Sequence, residues 1–129
     1  MNGIRAYRSN KVQTAPNEQV LLMLLETAIN AQSNAAEAME QGDRPAWNKE
    51  VGHSRAIFIE LMGALDHKVA PSLTRNLHMV YAWAIHQLTE AAKTGNVETL
   101  FTVHKVTCTL YHSWLEAVQG STAAAAEAS

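Results

Sequence analysis

Apolar residues recur at steps of three and four along most of this chain, in four stretches parted by short polar breaks. The first stretch carries Val20, Leu21, Leu24, Leu25, Ala28, Ile29, Ala35 and Met39. That spacing is a helix face, not a strand. Thr14-Ala15-Pro16-Asn17 opens it, since Thr14 or Asn17 can accept from orphan amides and Pro16 fits a helix start. Gln41-Gly42-Asp43 closes it, with Gly42 at a left-handed cap. The second stretch starts near Arg44-Pro45, with Asp43 as cap, and shows Trp47, Val51, Phe58, Leu61, Met62 and Leu65. Residues 66–71 connect, because Pro71 forbids helix through them. The third stretch runs from about Pro71 to Lys93 and shows Leu73, Leu77, Val80, Tyr81, Ala84, Ile85, Leu88 and Ala92. Thr94-Gly95-Asn96 breaks it. The fourth runs over about 97–118, with Val97, Leu100, Phe101, Val103, Thr107, Leu110, Tyr111, Trp114 and Val118 predicted to face inward.

Four helices of similar length with short links predict antiparallel neighbours. The expected fold is all-α, an antiparallel up-down four-helix bundle with an N-terminal leader segment and a frayed C-terminal tail. Residues 1–119 form a single domain, with 1–16 as leader and 17–119 as bundle. Gly120 ends the last helix, and the Ala-rich tail 120–129 is expected to be disordered, having nothing to pack against.

Composition agrees with helices. Ala, Leu, Glu, Gln and Met are plentiful, Gly and Pro scarce, and β-branched residues do not cluster. With 129 residues the chain can bury a core without staples. The formal net charge of −2 makes a phosphate backbone a poor partner, so no nucleic acid is expected. The single cysteine, Cys108, permits no intrachain disulfide and suits a reducing compartment. The longest wholly apolar run, residues 20–25, is too short to cross a bilayer, and the start lacks a signal-type apolar segment. A cytoplasmic chain with no membrane partner is expected.

Candidate chemistry is thin. Glu50-x-x-His53 is half of a di-iron carboxylate pattern, which needs a second such pair. None exists here. His104, Cys108 and His112 lie along one side of the fourth helix and are good donors for a soft metal. At most two neighbours can chelate one ion comfortably, and a lone Cys beside an apolar face is usually a small core residue. A phosphotransfer bundle places a Lys three residues after its acceptor His. The residues at that offset from the six histidines are Ala56, Ala70, Tyr81, Thr89, Thr107 and Leu115. No nucleophile elbow or Gly-rich phosphate loop occurs. The chain is therefore expected not to be an enzyme and to use no cofactor or metal. A metal-binding or phosphotransfer bundle is the alternative. Among the aromatics, Tyr81 and Trp114 are expected mostly in the core, Trp83 and Tyr111 nearer a seam, and Trp47 as a partly exposed capping aromatic.

The leader points to binding. Ile4, Tyr7 and Val12 stand ahead of the first turn and need something to dock on. A groove on the chain's own bundle would serve, and a partner could occupy it too.

The same residues carry a resemblance. Tyr7, Val12, Thr14 and Ala15, then Leu22-Met23-Leu24, follow in order a Tyr, a Val-x-Thr-Ala turn and a Leu-Met-Leu helix. Gly42-Asp43, Glu60-Leu61, Leu65-Asp66, Asn76-Leu77, Tyr81, Asn96-Val97-Glu98, Trp114 and Glu116-Ala117 continue it. The ordered set resembles the FliS family, the flagellin-specific export chaperones. Ala70-Pro71 departs from it, standing where that family tends to have Gly-Gly. The resemblance implies a cytosolic chaperone without nucleotide, metal or other cofactor. Such a chaperone binds the C-terminal disordered segment of flagellin, prevents premature polymerisation and aids delivery to the flagellar type III export apparatus. Contact with the export gate and a weak homodimer of the empty protein are left open. A disordered client can wrap a bundle and bury apolar area in its grooves. The residues expected to meet it are Ile4, Tyr7, Val12, Leu21, Leu25, Phe58, Leu61, Leu65, Leu77, Tyr81, Trp83 and Leu88.

Overall fold

The structure, a computed structural model, describes residues 18–128, with side chains through Gly120. Helix α1 spans Glu18–Glu40, α2 Arg44–Gly63, α3 Pro71–Thr94 and α4 Val97–Ala128. No strand occurs among the described residues. Each helix packs on its sequence neighbour, and α4 returns to pack on α1. Links as short as residues 41–43 and 95–96 leave only antiparallel pairing, so the expected up-down four-helix bundle is what forms.

The breaks after α1 and α3 fall where the sequence places them, while the opening at Thr14-Ala15-Pro16-Asn17 lies outside the described residues. Gly42 is left-handed at φ 73°, its N–H bonds Met39 O at 3.0 Å, and Asp43 N bonds Ala38 O at 2.8 Å. This paired arrangement closes α1 through otherwise orphaned carbonyls. Asp43 then caps α2, its Oδ1 accepting from Ala46 N at 3.1 Å with Pro45 in the first turn. Gly95, at φ 70°, ends α3. Asn96 opens α4, its Oδ1 accepting from Glu98 N at 2.9 Å and Thr99 N at 3.3 Å.

Two boundaries move. Helix α2 ends at Gly63, just before its expected last apolar residue, Leu65. Helix α4 passes through Gly120, where the pattern ends it, and stays helical to Ala128. One interior Gly costs about 1 kcal/mol against Ala, and the four alanines beyond it are the strongest helix formers.

The core holds Trp47, Phe58, Tyr81, Leu25, Leu88, Leu100, Val51 and Val103, all essentially inaccessible. The rings of Phe58 and Tyr81 meet at 5.9 Å and 54°, a tilted pair of the favoured kind. Helix α1 presents Leu22, Leu25, Ala28, Ala31, Ala35 and Ala38 to this core. The large residues Val20, Leu21, Leu24, Ile29 and Met39 sit outward or at its margins. The inward face is thus turned from the one the bulky residues suggest. Alanine lets helix axes approach closely, so the small residues take the interior and the large ones line the seams. Phe101, expected inward, is 45% exposed.

Trp47 corrects its expected place as a half-exposed cap. It is fully buried, and its indole Nε1 donates to Ala91 O at 2.9 Å. Arg44 Nη2 donates to Ala92 O and Lys93 O, each at 2.9 Å. The last carbonyls of α3 are therefore satisfied by the first turn of α2, which arrives at the same end of the bundle.

Candidate functional site

Helix α3 carries more apolar residues than the core uses. Leu77, Tyr81, Ala84 and Leu88 point inward, while Val80, Trp83 and Ile85 remain half-exposed and Met79 lies 67% exposed. Val80 follows Met79 directly and Trp83 lies one helical turn on, so the three form one patch on the flank toward α4. Helix α4 answers with Val106. Among the neighbouring pairs, α3 and α4 touch least. Between them a groove of about 310 Å³ opens, lined by Met79, Val80, Trp83 and Val106. Its walls are almost wholly apolar. It offers no acid, base or nucleophile, so what it can do is take up an apolar side chain.

The residues expected to meet a partner fall into three groups. Leu25, Phe58, Leu61, Leu77, Tyr81 and Leu88 lie in the interior, where they hold the helices that frame the groove. Leu21, Leu65 and Trp83 are half-buried at seams, and of these Trp83 lines the groove. Ile4, Tyr7 and Val12 lie outside the described residues. Met79, Val80 and Val106 were not singled out as contact residues. Val80 is swallowed by the broad apolar stripe of α3, and Val106 continues the Val103–Leu110 spacing, so neither signals a seam without its neighbour. Trp114 is buried and Tyr111 half-buried, as expected.

A polar network lies on the other flank of α4. Gln32, only 1% exposed on α1, donates from Nε2 to Thr107 Oγ1 at 3.0 Å. Thr107 gives its own hydrogen to Val103 O at 2.8 Å, so toward Gln32 it can only accept. The amide oxygen of Gln32 then faces His104 Nδ1 at 2.9 Å. A carbonyl oxygen cannot donate, so Nδ1 carries the proton. His104 Nε2 is left with its lone pair toward Cys108 Sγ, 3.7 Å away. Burial pushes the His104 pKa below its ordinary value, which keeps the ring neutral. His112, the third member of the expected row, stacks edge-on against Tyr111 at 5.5 Å. Glu50 is half-buried and His53 exposed on α2. No three His, Cys, Asp or Glu gather into a metal cluster among the described residues. No helix among them is long and apolar enough to cross a membrane.

The family model for the flagellar protein FliS matches residues 1–121. A Vibrio cholerae serotype O1 protein, flagellar secretion chaperone FliS, is 23% identical over 115 residues, covering 86% of this chain and 85% of that protein. A match that runs nearly the whole chain leaves one conclusion: this chain belongs to the FliS family, flagellar secretion chaperones and not enzymes.

Proposed function

We propose that the chain holds the C-terminal disordered segment of flagellin, keeps it from polymerising and hands it to the flagellar type III export apparatus. The observation that carries this reading is the α3–α4 groove, an apolar cleft left open on the flank of the bundle. A disordered segment binds by burying apolar side chains and orders as it does so. Amphipathic helices commonly dock in such grooves through anchors spaced by three or four residues. No bond is made or broken, so the chaperone needs no nucleotide or metal for this step. The work is done in the cytoplasm, before export.

Co-expression with flagellin from the same genome, followed by size-exclusion chromatography, tests this. A stable complex with the wild-type chain is expected. Placing a charge in the groove with Val106→Lys should weaken it at least tenfold while the helical circular dichroism persists. Undiminished binding by a folded Val106→Lys variant would remove the groove from the reading. No complex with wild-type chain would remove flagellin.

A further inference from the structure

We propose that His104 and Cys108 form a two-donor site for a soft divalent cation of the zinc class, bound through imidazole Nε2 and thiolate Sγ. The two residues stand one helical turn apart on α4, and Sγ lies 3.7 Å from Nε2. A tetrahedral ion with its sulfur at about 2.3 Å and its nitrogen at about 2.1 Å spans roughly 3.6 Å between those donors. The pair thus already holds the bite the ion requires.

The imidazole is also oriented as a ligand. Its Nδ1–H is committed to Gln32 Oε1 at 2.9 Å, and Gln32 is buried and fixed in turn by Thr107. A hydrogen bond from the far ring nitrogen to an oxygen acceptor is the usual support behind a metal-bound histidine. With the proton on Nδ1, the Nε2 lone pair is available. Both donors are half-buried, so an ion can enter from solvent and keep water in its remaining positions. His112 is turned to Tyr111 and no third protein donor gathers. Affinity therefore falls well short of a four-ligand structural site. On binding, the cation replaces the thiol hydrogen: an S–metal bond forms, the S–H bond breaks, and one proton leaves to solvent. The neutral imidazole releases none.

Val106 and the two donors are about 200° apart around α4, so the site faces away from the groove and is independent of the client reading. Titration of the full reduced chain with cobalt(II) alone tests it. One ion per chain is expected, with a thiolate-to-cobalt charge-transfer band. Cys108→Ser should abolish the band. His104→Asn and Gln32→Met should each weaken binding at least tenfold, the latter without touching the ion. Alkylation of the Cys108 thiol in the wild-type chain should likewise abolish the band, which holds the test open should a variant not fold. Absence of the band in chain whose thiol is titratable overturns the proposal. So does unchanged affinity in His104→Asn, which would mean the thiol alone binds.

Discussion

Ala70 is the one described non-glycine residue with positive φ, at 44°, and it directly precedes Pro71. A left-handed L-residue is disfavoured by about 1–2 kcal/mol, and the position before proline resists helical values further. Thr74 holds the turn from the other side, donating to Val69 O at 2.7 Å. Ala70→Gly should relieve the strain and raise stability by roughly 0.5–1 kcal/mol, after the greater unfolded-state freedom of glycine is set against it. Urea unfolding followed by circular dichroism reads the change, and a loss of stability would show that the turn is not strained. His104 sets a second residue-scale expectation. Its folded pKa lies below the ordinary 6.5, so as pH falls the unfolded ring takes up its proton first. The stability it contributes is complete above about 6.5 and is lost as pH falls from there through the lower folded value. Replacing it by Asn should flatten the stability–pH curve in that window. An unchanged slope would place the titration on another group.

At the scale of elements, the four helices were legible because each carries its own signals: Gly42 and Gly95 at closing turns, Asp43 at a cap, Pro45 and Pro71 in first turns. These are local, and the structure uses each as read. What was not legible depends on who comes alongside. Trp47 reads as a capping aromatic because it sits in the first turn of α2, yet the end of α3 packs over it and offers Ala91 O to its indole. The inward face of α1 is alanine-rich because two neighbours press on it, which no single-helix pattern displays. The groove was missed for the same reason, since Val80 and Val106 look like ordinary stripe residues until α3 and α4 diverge around them. The junction of α2 with α3 can be tested directly. Trp47→Phe keeps most of the ring volume but removes the donor to Ala91, and should destabilise by about 1–2 kcal/mol. Arg44→Ala strips two carbonyls of their donor at an exposed helix end, where water can replace it, so about 1 kcal/mol or less is expected. Equal losses would mean the indole bond contributes nothing beyond packing.

At the scale of the molecule, the proposed function divides the apolar surface between two tasks, and the division predicts opposite effects from residues on one helix. Leu88 is sealed in the core of α3, whereas Met79 and Trp83 stand on its open flank. Leu88→Ala leaves a cavity that neighbours fill only partly and should cost about 2–5 kcal/mol. If the bundle survives at low temperature, its groove keeps its walls and its hold on flagellin should change little. Met79→Asp together with Trp83→Ser gives up only the inner side of one half-buried ring that packs on the core. Stability should fall by about 1–2 kcal/mol, while the apolar surface available to a client is lost and binding falls by at least tenfold. Both measurements are needed on both proteins: melting by circular dichroism, and affinity by calorimetry with a flagellin C-terminal peptide. A groove variant that unfolds would mean that the patch belongs to the core. A core variant that stays folded but releases the peptide would mean that the client contacts depend on the interior and not on the open flank. The crossed result, stability lost in one variant and binding in the other, is the one expected from a bundle that buries one apolar face for itself and keeps another for its cargo.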